Sequence, residues 1–118
     1  MKFVSGAASH VFTTEENLCG YHFKRRTQTI PCRRLDSFPI AGNSLVMKID
    51  VEGQEFAVLN GAKLFFEQKR VKAVYLDGFK NERSVIDFLK GYGFSFFDGR
   101  TLEKTDGMSV FSLLAISE

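Results

Sequence analysis

The chain has 118 residues, 44% of them hydrophobic, with 13 phenylalanines and a formal charge of +2; this composition excludes a disordered chain and the length suits a single domain, residues 1–118, around one core. Nothing approaches the ~20 consecutive apolar residues of a membrane span, and Met1–Gly6 has too short an apolar patch for a signal peptide, so a soluble, cytoplasmic protein is expected. Cys19 and Cys32 lack CxxC spacing and read as reduced thiols. His10 and His22 stand twelve residues apart with no acid or cysteine at ligand spacing, so no metal site is expected.

Residues 1–43 form an irregular N-terminal segment, with a strand-like piece at Phe3-Val4, a polar stretch Thr13–Asn17 and a β-prone segment Thr27–Arg33. Charge is uneven: residues 1–40 hold six Lys or Arg against three acids, and the rest holds ten against eleven. The excess lies in Lys24-Arg25-Arg26 and Arg33-Arg34. Nucleic-acid binding through Arg25, Arg26, Arg33 and Arg34 would require steeply salt-dependent affinity, but the clusters lack the interleaved aromatics of a single-strand platform and read more simply as a solvated loop or strand edge.

From Ser44 the pattern is regular. Leu45 to Asp50 is a nearly continuous apolar run, which predicts a strand buried on both faces. A helix is predicted over 54–68, where Val58, Leu59, Ala62, Phe65 and Phe66 form one stripe and Glu52 and Glu55 sit at the favourable positive end. Gly61 inside that helix costs about 1 kcal/mol relative to alanine, which suggests close approach of helix to sheet. A basic turn, Lys69-Arg70, leads to a second strand, Val71–Leu76, ending in Asp77-Gly78. Asn81 or Ser84 is expected to cap the next helix, with Val85, Ile86, Phe88 and Leu89 buried and Gly91 and Gly93 ending it. This β-α-β-α order predicts parallel strands joined by right-handed crossovers. Phe94–Phe97 and Val110–Ile116 read as a terminal antiparallel hairpin joined by the polar turn Asp98–Gly107.

The chemistry-bearing run is Lys48-Ile49-Asp50-Val51-Glu52-Gly53-Gln54-Glu55. Strand alternation puts Lys48, Asp50 and Glu52 on one face at the C-terminal end of a strand, the end at which open parallel sheets bind ligands. The plain structural reading of the same residues is an ion pair plus an acid beside the next helix.

Over about residues 30–98 these pieces resemble the C-terminal half of a class I S-adenosylmethionine-dependent methyltransferase of the FkbM family. The resemblance is carried by Leu35-Asp36, by the K-I-D-V-E-G-x-E run Lys48–Glu55, by Leu59-Asn60-Gly61-Ala62, by the strand-ending Asp77 and by Gly91-Tyr92-Gly93-Phe94. It implies an α/β, partial Rossmann-like sheet with flanking helices. Leu45–Asp50 and Val71–Leu76 would be strands 4 and 5 and the terminal hairpin strands 6 and 7, in the order 4-5-7-6. It implies transfer of a methyl group to a hydroxyl of a sugar or secondary metabolite. The donor's methionine end would lie at Asp50, Val51 and Glu52, with Lys48, Asp50 and Glu52 as the catalytic set. Such enzymes also grip the cofactor with a glycine-rich turn after strand 1, and no E/D-x-G-x-G run precedes residue 44. A truncated domain is therefore expected, with S-adenosylmethionine bound only if the other half is supplied. The alternative is a non-catalytic interaction or assembly module derived from a methyltransferase half. Without strand 1, the edge of Leu45–Asp50 is expected to pair with Thr27–Arg33, with a second copy or with a complementing chain.

Overall fold

A computed structural model describes the backbone of residues 2–5, 11–12 and 26–118, and side chains from residue 29 onward. The chain divides into two compact units, Met1–Arg33 and Arg34–Glu118. In the first, β1 (Lys2–Ser5) is the middle strand of a three-stranded sheet, flanked by β2 (Val11–Phe12) and β3 (Arg26–Thr29), both antiparallel to it. In that sheet Thr27 pairs with Val4 and Thr29 with Lys2.

The second unit begins with a 3-10 turn, Leu35–Ser37, and continues through β4 (Leu45–Ile49), α1 (Glu55–Gly61), α2 (Lys63–Glu67), β5 (Val71–Leu76), α3 (Arg83–Gly91), β6 (Phe94–Asp98), β7 (Lys104–Thr105) and β8 (Leu113–Ser117). Its five strands lie in the order β4-β5-β8-β6-β7. β4 and β5 are parallel, whereas β8 runs antiparallel to both β5 and β6. The result is a mixed α/β sheet in which the last strand enters between β5 and β6. That strand starts at Leu113, three residues later than Val110, which is instead buried in the approach to it, and the connection from β6 contains the two-residue strand β7.

The core lies on one face of the sheet. Ile49, Val74, Leu76, Phe94, Phe96, Leu113 and Ala115 join Leu59, Ala62, Phe65, Phe66, Val85, Ile86 and Leu89 from the helices. Phe88 packs edge-on against Phe66 with ring centroids 5.1 Å apart. Burial of β4 on both faces is not found: its residues alternate, and Val46 is 73% exposed with Lys48 also exposed. The physical reason is that the apolar helix faces supply partners on one side of the sheet only, so an apolar residue on the other side gains no burial.

The helix expected over 54–68 is broken at Ala62 into α1 and α2. The break frees backbone groups, and one side-chain pair takes them up. Arg34 donates from Nε and Nη2 to the two carboxylate oxygens of Asp36, at 3.0 and 2.9 Å, and its Nη2 also donates to the carbonyl of Asn60 at 2.8 Å. Asp36 Oδ2 in turn accepts the N–H of Leu64 in the first turn of α2, at 3.1 Å. Gly61 approaches this same segment and not the sheet: a Cβ there would lie 3.6 Å from the Leu35 nitrogen and 3.8 Å from the Arg34 Cα, ordinary contact distances.

The Arg34 guanidinium, and then the Leu64 N–H, hold the Asp36 carboxyl below the usual carboxylate range. A depressed folded-state value means that this contribution to stability is complete above the unfolded value and is lost as pH falls through the folded one. Asp36→Asn should therefore melt below wild type at pH 7, with the gap closing as pH is lowered through and below the ordinary carboxylate range; thermal melts across that range check it.

The next helix also departs from expectation at its start. Glu82 precedes α3 without a side-chain cap, and Ser84 lies inside the first turn. Asn81 has φ +58° and its Oδ1 accepts the N–H of Val110 at 3.4 Å, tying the helix entry to the chain that leads into β8. The helix ends as expected, with Gly91 its last residue and Gly93 at φ +82°. Among the described residues no helix is long and apolar enough to cross a membrane.

Candidate functional site at the ends of the parallel strands

β4 and β5 run in register, Ile49 beside Leu76, and the N–H of Asp77 donates to the Ile49 carbonyl at 3.1 Å. Asp50 and Asp77 therefore leave neighbouring strands side by side. Asp50 is exposed and Asp77 half-buried.

Immediately beyond Asp50 the chain turns. The N–H of Gln54 donates to the Val51 carbonyl at 3.3 Å, and the two residues between have positive φ, +44° at Glu52 and +93° at Gly53. Two successive left-handed residues are the pattern of a type I′ turn, which glycine enters without steric cost. Glu55, first residue of α1, is 2% exposed, and its Oε1 accepts the Gly53 N–H at 3.2 Å. The acid that holds the turn is thus Glu55, for which the sequence offered only a place near a helix N-terminus.

Lys48 and Asp50 share the face of β4 opposite the helices. Glu52 is exposed, but the left-handed turn ends strand alternation before it, so its position comes from the turn. Val51 is half-buried and packs on the core. Among the described residues the ion pairs are Arg34–Asp36, Lys63–Glu67 and Arg83–Asp87; the plain expectation of an ion pair between Lys48 and its acidic neighbours is not met.

Asp77 has a support that no local sequence signal indicated. Ser112, 2% exposed, donates from Oγ to Asp77 Oδ1 at 3.3 Å. Gly99 presses against it from β6's exit: its N–H donates to the Ser112 carbonyl at 2.8 Å, and a Cβ there would fall 2.8 Å from both the Ser112 Cβ and the Tyr75 ring. Gly99→Ala should accordingly destabilise the fold by about 1–3 kcal/mol through overpacking, read as a lower denaturation midpoint.

Arg34 is committed to Asp36 and Asn60, and Arg70 donates to the carbonyls of Gly42 and Ile40 while lying 4.7 Å over the Phe65 ring. Lys24 and Arg25 lie outside the described residues, as do His10, His22 and Cys19; Cys32 is exposed. Among the described residues no three His, Cys, Asp or Glu side chains group as metal ligands would.

A mixed α/β sheet with acids and a glycine turn at the ends of its parallel strands is compatible with a methyltransferase-like fold. The family model for the Methyltransferase FkbM domain matches residues 3–96, and the chain belongs to that family. The match reaches well upstream of the motifs at 30–98 and takes in the N-terminal strands. No curated protein and no solved structure matches the chain.

Proposed function

We propose that the chain acts in S-adenosylmethionine-dependent methyl transfer to a hydroxyl of a sugar or secondary metabolite, with the end of β4 as the reacting site. The observation that carries this reading is the exposed Asp50, followed by the left-handed turn at Glu52-Gly53, in a chain of this family. In this reading β4, β5, β8 and β6 correspond to strands 4, 5, 7 and 6 of the class I sheet, supported by their spatial order and by the antiparallel β8. The cytoplasm is taken as its location, since the two cysteines form no disulfide framework in sequence.

The residues present suit the cofactor's methionine end. Asp50 and Glu52 are exposed carboxylates with no cation of the chain in ion-pair range among the described residues, and an amino group and a sulfonium are cationic. Asp50, Val51 and Glu52 would hold that end, and the group supplies an electrophilic methyl when bound. Asp50 accepts a hydrogen bond from the acceptor hydroxyl and then its proton at a carboxylate oxygen, the work of a general base. Lys48 lies two residues back on the same strand face, beside the reacting end.

Calorimetric titration of the chain with S-adenosylmethionine should give saturable binding with Kd below ~1 mM, weakened at least about tenfold by Glu52→Lys, which places a cation against a cation. Silence up to that concentration would favour the assembly module.

A further inference from the structure

Asp50 and Asp77 each follow a core residue, Ile49 and Leu76, that pairs with the other across β4 and β5. Alternation therefore turns both carboxylates to the opposite face of the sheet, with their backbones one strand spacing, about 4.8 Å, apart. Like charges side by side destabilise a sheet, and no cation of the chain relieves them: the ion pairs among the described residues involve neither acid. The fold nevertheless holds Asp77 in place. Ser112, 2% exposed, donates its hydroxyl proton to Asp77 Oδ1 at 3.3 Å. Ser112 is fixed in turn by the Gly99 N–H, 2.8 Å from its carbonyl, at a point where the backbone of β6's exit leaves no room for a Cβ.

With Oδ1 so engaged, Asp77 Oδ2 accepts no hydrogen bond among the described residues, although the side chain is half-buried. An ionised carboxylate only accepts hydrogen bonds, so the group that fits Oδ2 is a donor. No three metal-ligating side chains gather there among the described residues. The cofactor's methionine end is assigned to Asp50, Val51 and Glu52, at the turn into α1, whereas Asp77 lies on the other side of Asp50, toward β8. The donor that reaches Asp77 while Asp50 holds the reacting hydroxyl is a second hydroxyl of the same acceptor. Given methyl transfer at Asp50, on which this rests, we infer that Asp77 binds the hydroxyl on the carbon next to the one methylated, so that the acceptor is a vicinal diol of the kind a sugar ring carries. Ser112 and Gly99 are then positioning residues that aim Asp77 Oδ2 at it. An acceptor without the second hydroxyl leaves that oxygen desolvated and without a donor, which is how such a site rejects it.

The test offers the 118-residue chain S-adenosylmethionine with methyl glycosides of the common hexoses and the monodeoxy analogues of each, and reads the methylated position by NMR. Removing the hydroxyl adjacent to the methylated one should lower kcat/KM about 10- to 100-fold, the worth of a hydrogen bond to a charged group. Asp77→Asn should cut that penalty to about threefold or less and raise KM for the intact glycoside, with KM for S-adenosylmethionine unchanged; a purely structural Asp77 would lower activity toward both acceptors alike. The comparison of acceptors on the wild type needs no variant to fold. Methylation with no penalty for the adjacent deoxy position overturns the diol assignment and leaves methyl transfer at Asp50 standing. A penalty that Asp77→Asn retains overturns it by placing the second hydroxyl on another residue, and a raised KM for S-adenosylmethionine overturns it by placing Asp77 at the donor. No methylation of any glycoside overturns the reading of Asp50 itself and the diol assignment with it.

Discussion

Asp50→Asn is expected to lower methyl transfer by about 100-fold or more while leaving the fold intact. Asparagine keeps the size of the side chain and one acceptor oxygen, but it cannot take a proton from a hydroxyl nor offer a negative charge to a cationic donor. The cost to stability should be small, because Asp50 is exposed and its carboxylate makes no hydrogen bond or ion pair among the described residues; surface changes of that kind usually stay within about 0.5 kcal/mol. The contrast is the measurement: S-adenosylhomocysteine formation with a panel of hydroxylated sugars, set beside the urea midpoint. Parallel losses in both would make Asp50 a structural residue.

Leu76→Ala should have the largest effect on stability, about 2–5 kcal/mol. Leu76 has no solvent exposure, and it lies in β5 between Ile49 of β4 and Leu113 of β8, so truncation opens a cavity that three strands border. β5 is hydrogen-bonded on both sides and has little freedom to collapse into the gap. Since a domain of this kind holds roughly 5–15 kcal/mol in total, the loss is a large fraction of it, visible by circular dichroism as a midpoint well below wild type. Val46→Ala, on a 73% exposed residue of the neighbouring strand, should move the midpoint hardly at all. The pair of variants tests whether the core is one-sided. Because Leu76 directly precedes Asp77, its loss should also loosen the Ser112–Asp77 contact at the site.

Much of this fold was legible because the signals were local. The apolar runs at 45–49 and 71–76 form the parallel strands, the stripe of Val85, Ile86 and Leu89 is the buried face of α3, and the acid-and-glycine exits from both strands lie together. Each depends on side-chain period or on turn chemistry within a few residues. Errors arose where a distant residue decided the local outcome. Periodicity ran on through Ala62, yet Arg34 and Asp36, some 28 residues earlier, take the backbone groups that a continuous helix would have paired with each other. Asn81 had the residue type of a cap, but Val110 claims its side chain from 29 positions away.

By itself the sequence determined the strand–helix order, the family motifs and the acids that leave β4 and β5, since these rest on short-range pattern and residue type. Only the tertiary structure decided that helices cover one face of the sheet, that Glu55 is buried beneath the turn, that Ser112 and Gly99 support Asp77, and that the last strand enters between β5 and β6. The physical reason is that burial and hydrogen-bond satisfaction are settled by which segments meet in space. An exposed valine and a buried one read alike in a strand, and an aspartate shows its partner only when the chain has brought one to it.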